Sequence, residues 1–147
     1  MKGIDVAKWN GVIDWKKVKE DGVQFAILKA INKQCKVEDA FNSNYAGALS
    51  VGLPIDVYNY SYATTVSKAT SDAQAVLNAI KGKKVGTVWL DVEDKIQMNL
   101  GMTLIDIINA YKYIIEKAGY GFGVYTGLSF YNTLIKPYHS FLDCKFW

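Results

Sequence analysis

The sequence predicts an α/β chain in which parallel strands alternate with crossover helices. Two observations carry that expectation. Short apolar runs alternate with helix-like stretches, and strand starts recur roughly every 20 to 35 residues. Half of the 147 residues are apolar and only 21% are charged, so a large core can form.

Each element follows in order. Residues 2–6 read as a first strand. Residues 13–19 form a short amphipathic helix, with Asp14 placed to cap it and Gly22 to end it. Residues 23–30 are an apolar second strand with Lys29 near its end. A helix over 39–50 is closed by Gly52, and 54–60 is a third strand. Over 66–80, Ala69, Ala73, Val76, Leu77 and Ile80 share one face of a long helix. The Lys81-Gly82-Lys83-Lys84 turn leads into a fourth strand over 85–92. A strongly apolar helix over 103–118 is expected to be capped by Thr103 and stopped at Gly119. A fifth strand covers 122–125, one or two helical turns cover 128–134, and 145–147 begin a sixth strand.

This rhythm fits either a doubly wound open sheet or a barrel. No GxGxxG or GxxxxGKS/T follows the first strand, so nucleotide-binding versions have no support. The length fits one domain, residues 1–147, with no linker or repeat.

Composition excludes several function classes. The net charge of +3 is too small to argue for nucleic acid, though it suits an anionic wall surface. No stretch of about 18 apolar residues spans a membrane. Asp5 interrupts any apolar leader, so no signal peptide is expected; a protein acting outside the cytoplasm would leave it by another route. Cys35 and Cys144 lie far apart and read as free thiols. With His139 the only histidine, a zinc site or a Ser-His-Asp mechanism has no material. Neither a metal nor a cofactor is expected. The ten Tyr and four Trp can fill a core, or supply a sugar cleft with apolar faces and polar edges.

The informative segment is Thr87-Val88-Trp89-Leu90-Asp91-Val92-Glu93-Asp94. Strand side chains alternate, so Asp91 and Glu93 point one way and Val92 the other. Both lie at the carboxyl end of an apolar strand, where (β/α) barrels place active sites. Two acids so close should split their pKa values, one staying ionised and one holding its proton. Alone, a D-x-E is more often a strand-end cap. Asp5 and Lys29 end the first two strands, and Tyr58, Tyr60 and Tyr125 end the third and fifth. These groups converge on one cleft if the strands are parallel. Three chemistries fit: carboxylate-based hydrolysis, a hard cation held by Asp5, Asp91 and Glu93 for phosphoester cleavage, or a non-catalytic sugar-binding module. Lys29 disfavours the cation.

The ordered motifs resemble glycoside hydrolase family 25, the Chalaropsis-type lysozymes of autolysins and phage endolysins. They are Gly3-Ile4-Asp5-Val6, Asn10-Gly11, Ile13-Asp14-Trp15, Phe25-Ala26-Ile27-Leu28-Lys29-Ala30, the run from Ala48 to Pro54, Val57-Tyr58-Asn59-Tyr60-Ser61-Tyr62-Ala63, Trp89-Leu90-Asp91-Val92-Glu93-Asp94, Ala118-Gly119-Tyr120 and Val124-Tyr125-Thr126-Gly127. The resemblance implies an irregular TIM-like (β/α) barrel. It implies cleavage of the β-1,4 bond between N-acetylmuramic acid and N-acetylglucosamine in peptidoglycan glycan strands. It places Glu93 as general acid and base, Asp91 as its assisting acid and Asp5 as a cleft-shaping acid. Lys29, Tyr58, Tyr60 and Tyr125 then line the substrate cleft.

Three departures stand out. Ile31-Asn32-Lys33 replaces the family's usual Thr or Ser followed by Glu-Gly. Asp56 sits inside the third strand, where it needs a partner. The family's last strands, with a Trp-Gln pair and a further acid, have no counterpart. The expectation is therefore an incomplete barrel, impaired alone or acting as a wall-binding module, and self-associating through its open edge.

Overall fold

A computed structural model describes all 147 residues. Six strands form one sheet: β1 (Gly3–Val6), β2 (Phe25–Lys29), β3 (Ile55–Tyr60), β4 (Thr87–Asp91), β5 (Gly121–Tyr125) and β6 (Lys145–Phe146). Four principal helices fill the crossovers: α1 (Trp15–Glu20), α2 (Phe41–Ser50), α3 (Val66–Ile80) and α4 (Met102–Lys117). The strands lie in chain order and every neighbouring pair is parallel. That order decides between the two architectures. A doubly wound sheet reverses at a switch point, whereas a barrel wall runs on in sequence. The wall is not closed, since β1 and β6 remain edges. The fold is an incomplete α/β barrel.

The sheet has two unlike faces. Val57, Val88, Leu90 and Val124 point outward and are fully buried. They join one apolar core with Ala69, Ala73, Val76 and Ile80 of α3 and with Leu104, Ile105, Ile108 and Tyr111 of α4. Alternation sends Asp56, Tyr58 and Tyr60 of β3 to the other face, where they are half-buried. Register puts Lys29 beside Tyr58, Tyr58 beside Trp89, and Trp89 beside Gly123 on that inner face. A Cβ on Gly123 would collide with the Trp89 ring at 2.4 Å, so glycine is required for the indole to lie across β5. Asp56 has its partners here: Thr87 N–H donates at 2.8 Å and the Trp89 indole at 3.1 Å.

Helix ends follow local chemistry. Asp14 accepts from Lys17 N–H and caps α1 as expected. Thr65 caps α3 in the same way. Thr103 does not cap α4. The chain enters that helix through Gly101 at φ 52, which leaves Thr103 inside the first turn. The turns expected over 128–134 extend further, as a π-turn over Tyr131–Ile135 and a 3-10 helix over Lys136–Phe141. Pro137, lacking an N–H, favours that change of pitch. Both cysteines are free. No helix is long and apolar enough to cross a membrane.

Candidate active site

The site is built where β3, β4 and β5 end together. Tyr60 and Tyr125 are the register partners of Asp91 on either side. Ser61 N–H donates to the Asp91 carbonyl, and Val92 N–H to the Tyr125 carbonyl, both at 2.8 Å. The ladder thus continues past the strand ends and fixes where the acids start. Glu93 lies two residues on, in a short loop anchored beyond it. Asp94 accepts from Ile96 N–H at 3.0 Å and caps the turn over Lys95–Gln97. Gln97, fully buried, donates to Ser61 Oγ at 3.0 Å and to the Ala63 carbonyl at 2.9 Å. Glu93 is therefore held between a strand and a buried amide.

Asp5, Tyr58, Asp91, Glu93 and Tyr125 line one cleft together with Trp147. The cleft measures about 210 Å³. That is small beside the ~300–1,000 Å³ of closed small-molecule pockets. Lys29 and Tyr60 stand on its flank, with the Lys29 ammonium 5.9 Å from the Tyr60 ring centre. Trp147 packs edge-on against Tyr125 at 5.0 Å and Trp89 at 5.8 Å.

The pair of acids is asymmetric. Glu93 is exposed, whereas Asp91 is only 7% exposed. Asp91 Oδ1 is buried with no hydrogen-bond partner. Burial is the main force that lifts the Asp91 carboxyl from its ordinary 3.8 to about 7. The neighbouring Glu93 charge adds to the rise, Lys29 opposes it, and Asp5 adds a smaller push. The split expected of two close acids falls on the buried member. Tyr58 and Tyr125 are held above the usual phenol range, by burial first and then by charges that include Asp5 and Asp91. A buried carboxyl with an unused lone pair in a cleft marks a functional site more than a structural one. No three His, Cys, Asp or Glu side chains gather closely enough to hold a metal ion.

Three contributors escape a reading of the sequence. Trp147 reads only as a strand start, although alternation from Lys145 turns it inward. Glu38 is buried and braces two loops by accepting from Lys8 N–H at 2.7 Å and Ala40 N–H at 2.9 Å. No motif marks it. Tyr62 packs against Tyr60 with ring centres 4.9 Å apart and planes tilted by 46°, which only the turn after β3 makes possible.

The model of the family "Glycosyl hydrolases family 25" matches residues 4–147. The chain belongs to that family. An autolytic lysozyme of Clostridium acetobutylicum is 31% identical over 133 residues, covering 90% of this chain and 40% of the relative. The modular autolysin LytC of Streptococcus pneumoniae superposes with a TM-score of 0.81 at 29% identity, covering 91% of this chain and 34% of LytC. LytC has also been solved in complex with a synthetic peptidoglycan ligand. A family 25 glycosyl hydrolase of Bacillus anthracis shares the fold, with a TM-score of 0.78 at 22% identity over 100% of this chain and 69% of its own. The chain thus spans well under half the length of the first two relatives. The family 25 fold accounts for the strand order, and Asp91 and Glu93 fall within the matched span.

Proposed function

We propose that the chain is the catalytic region of a peptidoglycan hydrolase, an N-acetylmuramidase acting on the β-1,4 bond between N-acetylmuramic acid and N-acetylglucosamine. One observation carries the reading: the buried, partnerless Oδ1 of Asp91 in the same cleft as the exposed Glu93. A 2-acetamido N–H on the substrate donates to the Asp91 carboxylate where it faces the cleft. Glu93, open to the cleft, reaches the glycosidic oxygen.

The proton balance follows from charge. The Glu93 charge is one of the forces that lift the Asp91 carboxyl. With the proton on Glu93, its push on Asp91 vanishes and Asp91 ionises more easily. Glu93 gives that proton to the leaving oxygen as the acetamido oxygen attacks the anomeric carbon. Ionised Asp91 accepts the acetamido N–H and balances the positive ring that forms. Water then opens the ring, with Glu93 taking its proton. This substrate-assisted route retains configuration, unlike an inverting route with water on the opposite face. Asp5 shapes the cleft's charge, and Tyr58, Tyr125 and Trp147 provide faces for sugar rings.

The test is release of reducing ends from purified walls by wild type and Glu93→Gln, with product anomers followed by NMR. The β-anomer should appear first, and only with wild type. Initial α-anomer rejects the substrate-assisted route, equal rates remove Glu93, and loss of rate on adding EDTA points to metal-dependent chemistry. We also propose self-association through the open sheet edge; a monomer by light scattering at high concentration rejects it.

A further inference from the structure

The loop that departs from the family pattern is well built. Ile31 and Val37 bridge antiparallel, and Asn32 N–H donates to the Lys36 carbonyl at 2.8 Å. Asn32 Oδ1 accepts from Gln34 N–H at 3.0 Å and Lys36 N–H at 3.1 Å. Its tip is pinned from behind. Cys35 adopts φ 59, and its thiol donates to Asp72 Oδ1 at 3.0 Å. Asp72 is buried on α3 and also pairs with Lys68, whose ammonium lies 3.2 Å from Cys35 Sγ. This anchoring sets Lys33, itself exposed, with its ammonium 4.6 Å from the Tyr62 ring centre.

A continuous ridge results. Lys33 stands on Tyr62, Tyr62 packs on Tyr60, and Lys29 stands on Tyr60. Tyr60 is the register partner of Asp91, so the ridge begins at the edge of the acidic cleft. The chain's five ion pairs use Lys2, Lys8, Lys17, Lys68 and Lys112, leaving Lys29 and Lys33 without a carboxylate partner.

We propose that this ridge binds the acidic stem peptide carried by the muramic acid beside the scissile bond, with Lys33 as a specificity-determining residue for its carboxylates. The proposal rests on the muramidase reading above. Asp5 and the Asp91–Glu93 pair make the cleft floor anionic, so a carboxylate on the substrate is pushed off the floor. The flank offers the opposite sign at Lys29 on β2 and at Lys33 on its rigid loop, with Asp94 the acid that approaches Tyr60, and its tyrosine faces suit the short aliphatic side chains of a stem peptide. Aromatic support holds both ammonium groups in place without using up their hydrogen bonds.

The experiment measures binding by the full chain carrying Glu93→Gln, which removes turnover. The probes are a disaccharide-tetrapeptide with free carboxylates and the same compound with its carboxylates amidated. The free acid should bind about threefold more tightly at low salt, as expected for exposed charge pairs. High salt should erase the preference. Lys33→Ala should remove it and Lys33→Arg should keep it. Equal affinity for the two probes, no binding of either, or a preference that survives Lys33→Ala overturns the proposal. Failures separate cleanly. Cleavage of walls without probe preference rejects the ridge alone. Probe preference without cleavage by wild type rejects the hydrolase reading and leaves the ridge standing.

Discussion

Leu90 and Asp91 are adjacent in the chain and sit on opposite faces of β4. Leu90 is 1% exposed among apolar side chains from α3 and α4. Asp91 is nearly as buried, yet one of its oxygens has no partner and its proton is held to about 7. The outer face is optimised for packing. The inner face keeps a desolvated acid, a second acid and aromatic edges around a cleft. The difference shows that one strand can stabilise the fold on one side and carry a stability cost on the other.

The widest separation should come from Glu93→Gln. General acid–base groups contribute roughly 10²- to 10⁴-fold, so wall hydrolysis should fall by that order with thermal stability little changed. Measured rates and melting temperatures check both halves. Next comes the outer face: Leu90→Ala should cost roughly 2–5 kcal/mol in urea unfolding, because it opens a cavity in a close-packed core. The activity of the molecules that remain folded should stay close to wild type. The smallest effect is expected at the base of the inner face. Trp89→Phe removes the indole bond to Asp56 and should cost about 1–2 kcal/mol, since Asp56 keeps its bond from Thr87 N–H.

Most of the fold is legible in the sequence because its signals are local. Apolar alternation marks β3, the spacing of Ala69, Ala73, Val76 and Ile80 marks α3, and Asp14 marks the start of α1. Thr103 misleads because Gly101 offers a backbone entry that no side chain advertises. At the site, strand-end position is enough to gather Asp5, Tyr58, Asp91, Glu93 and Tyr125. What is not legible depends on tertiary fit. The location of the raised pKa follows from how deeply Asp91 is desolvated, which spacing alone does not encode. The bracing of Lys8 by Glu38 needs distant parts of the chain to meet, and the contact of Tyr62 with Tyr60 needs the turn after β3.

The most direct measurement follows the stability of wild type and Asp91→Asn from pH 5 to pH 8 by urea unfolding, alongside wall hydrolysis. An acid whose pKa is raised on folding binds its proton more tightly in the folded state. Wild type therefore loses stability as pH rises from about 4 towards 7 and levels off above that. Asp91→Asn lacks this slope. Its advantage should widen by about 3 kcal/mol between pH 5 and pH 8 while hydrolysis is lost. A gap that stays constant with pH, or an Asp91→Asn chain that hydrolyses walls at the wild-type rate, would contradict the assignment of a costly, functional acid to the inner face.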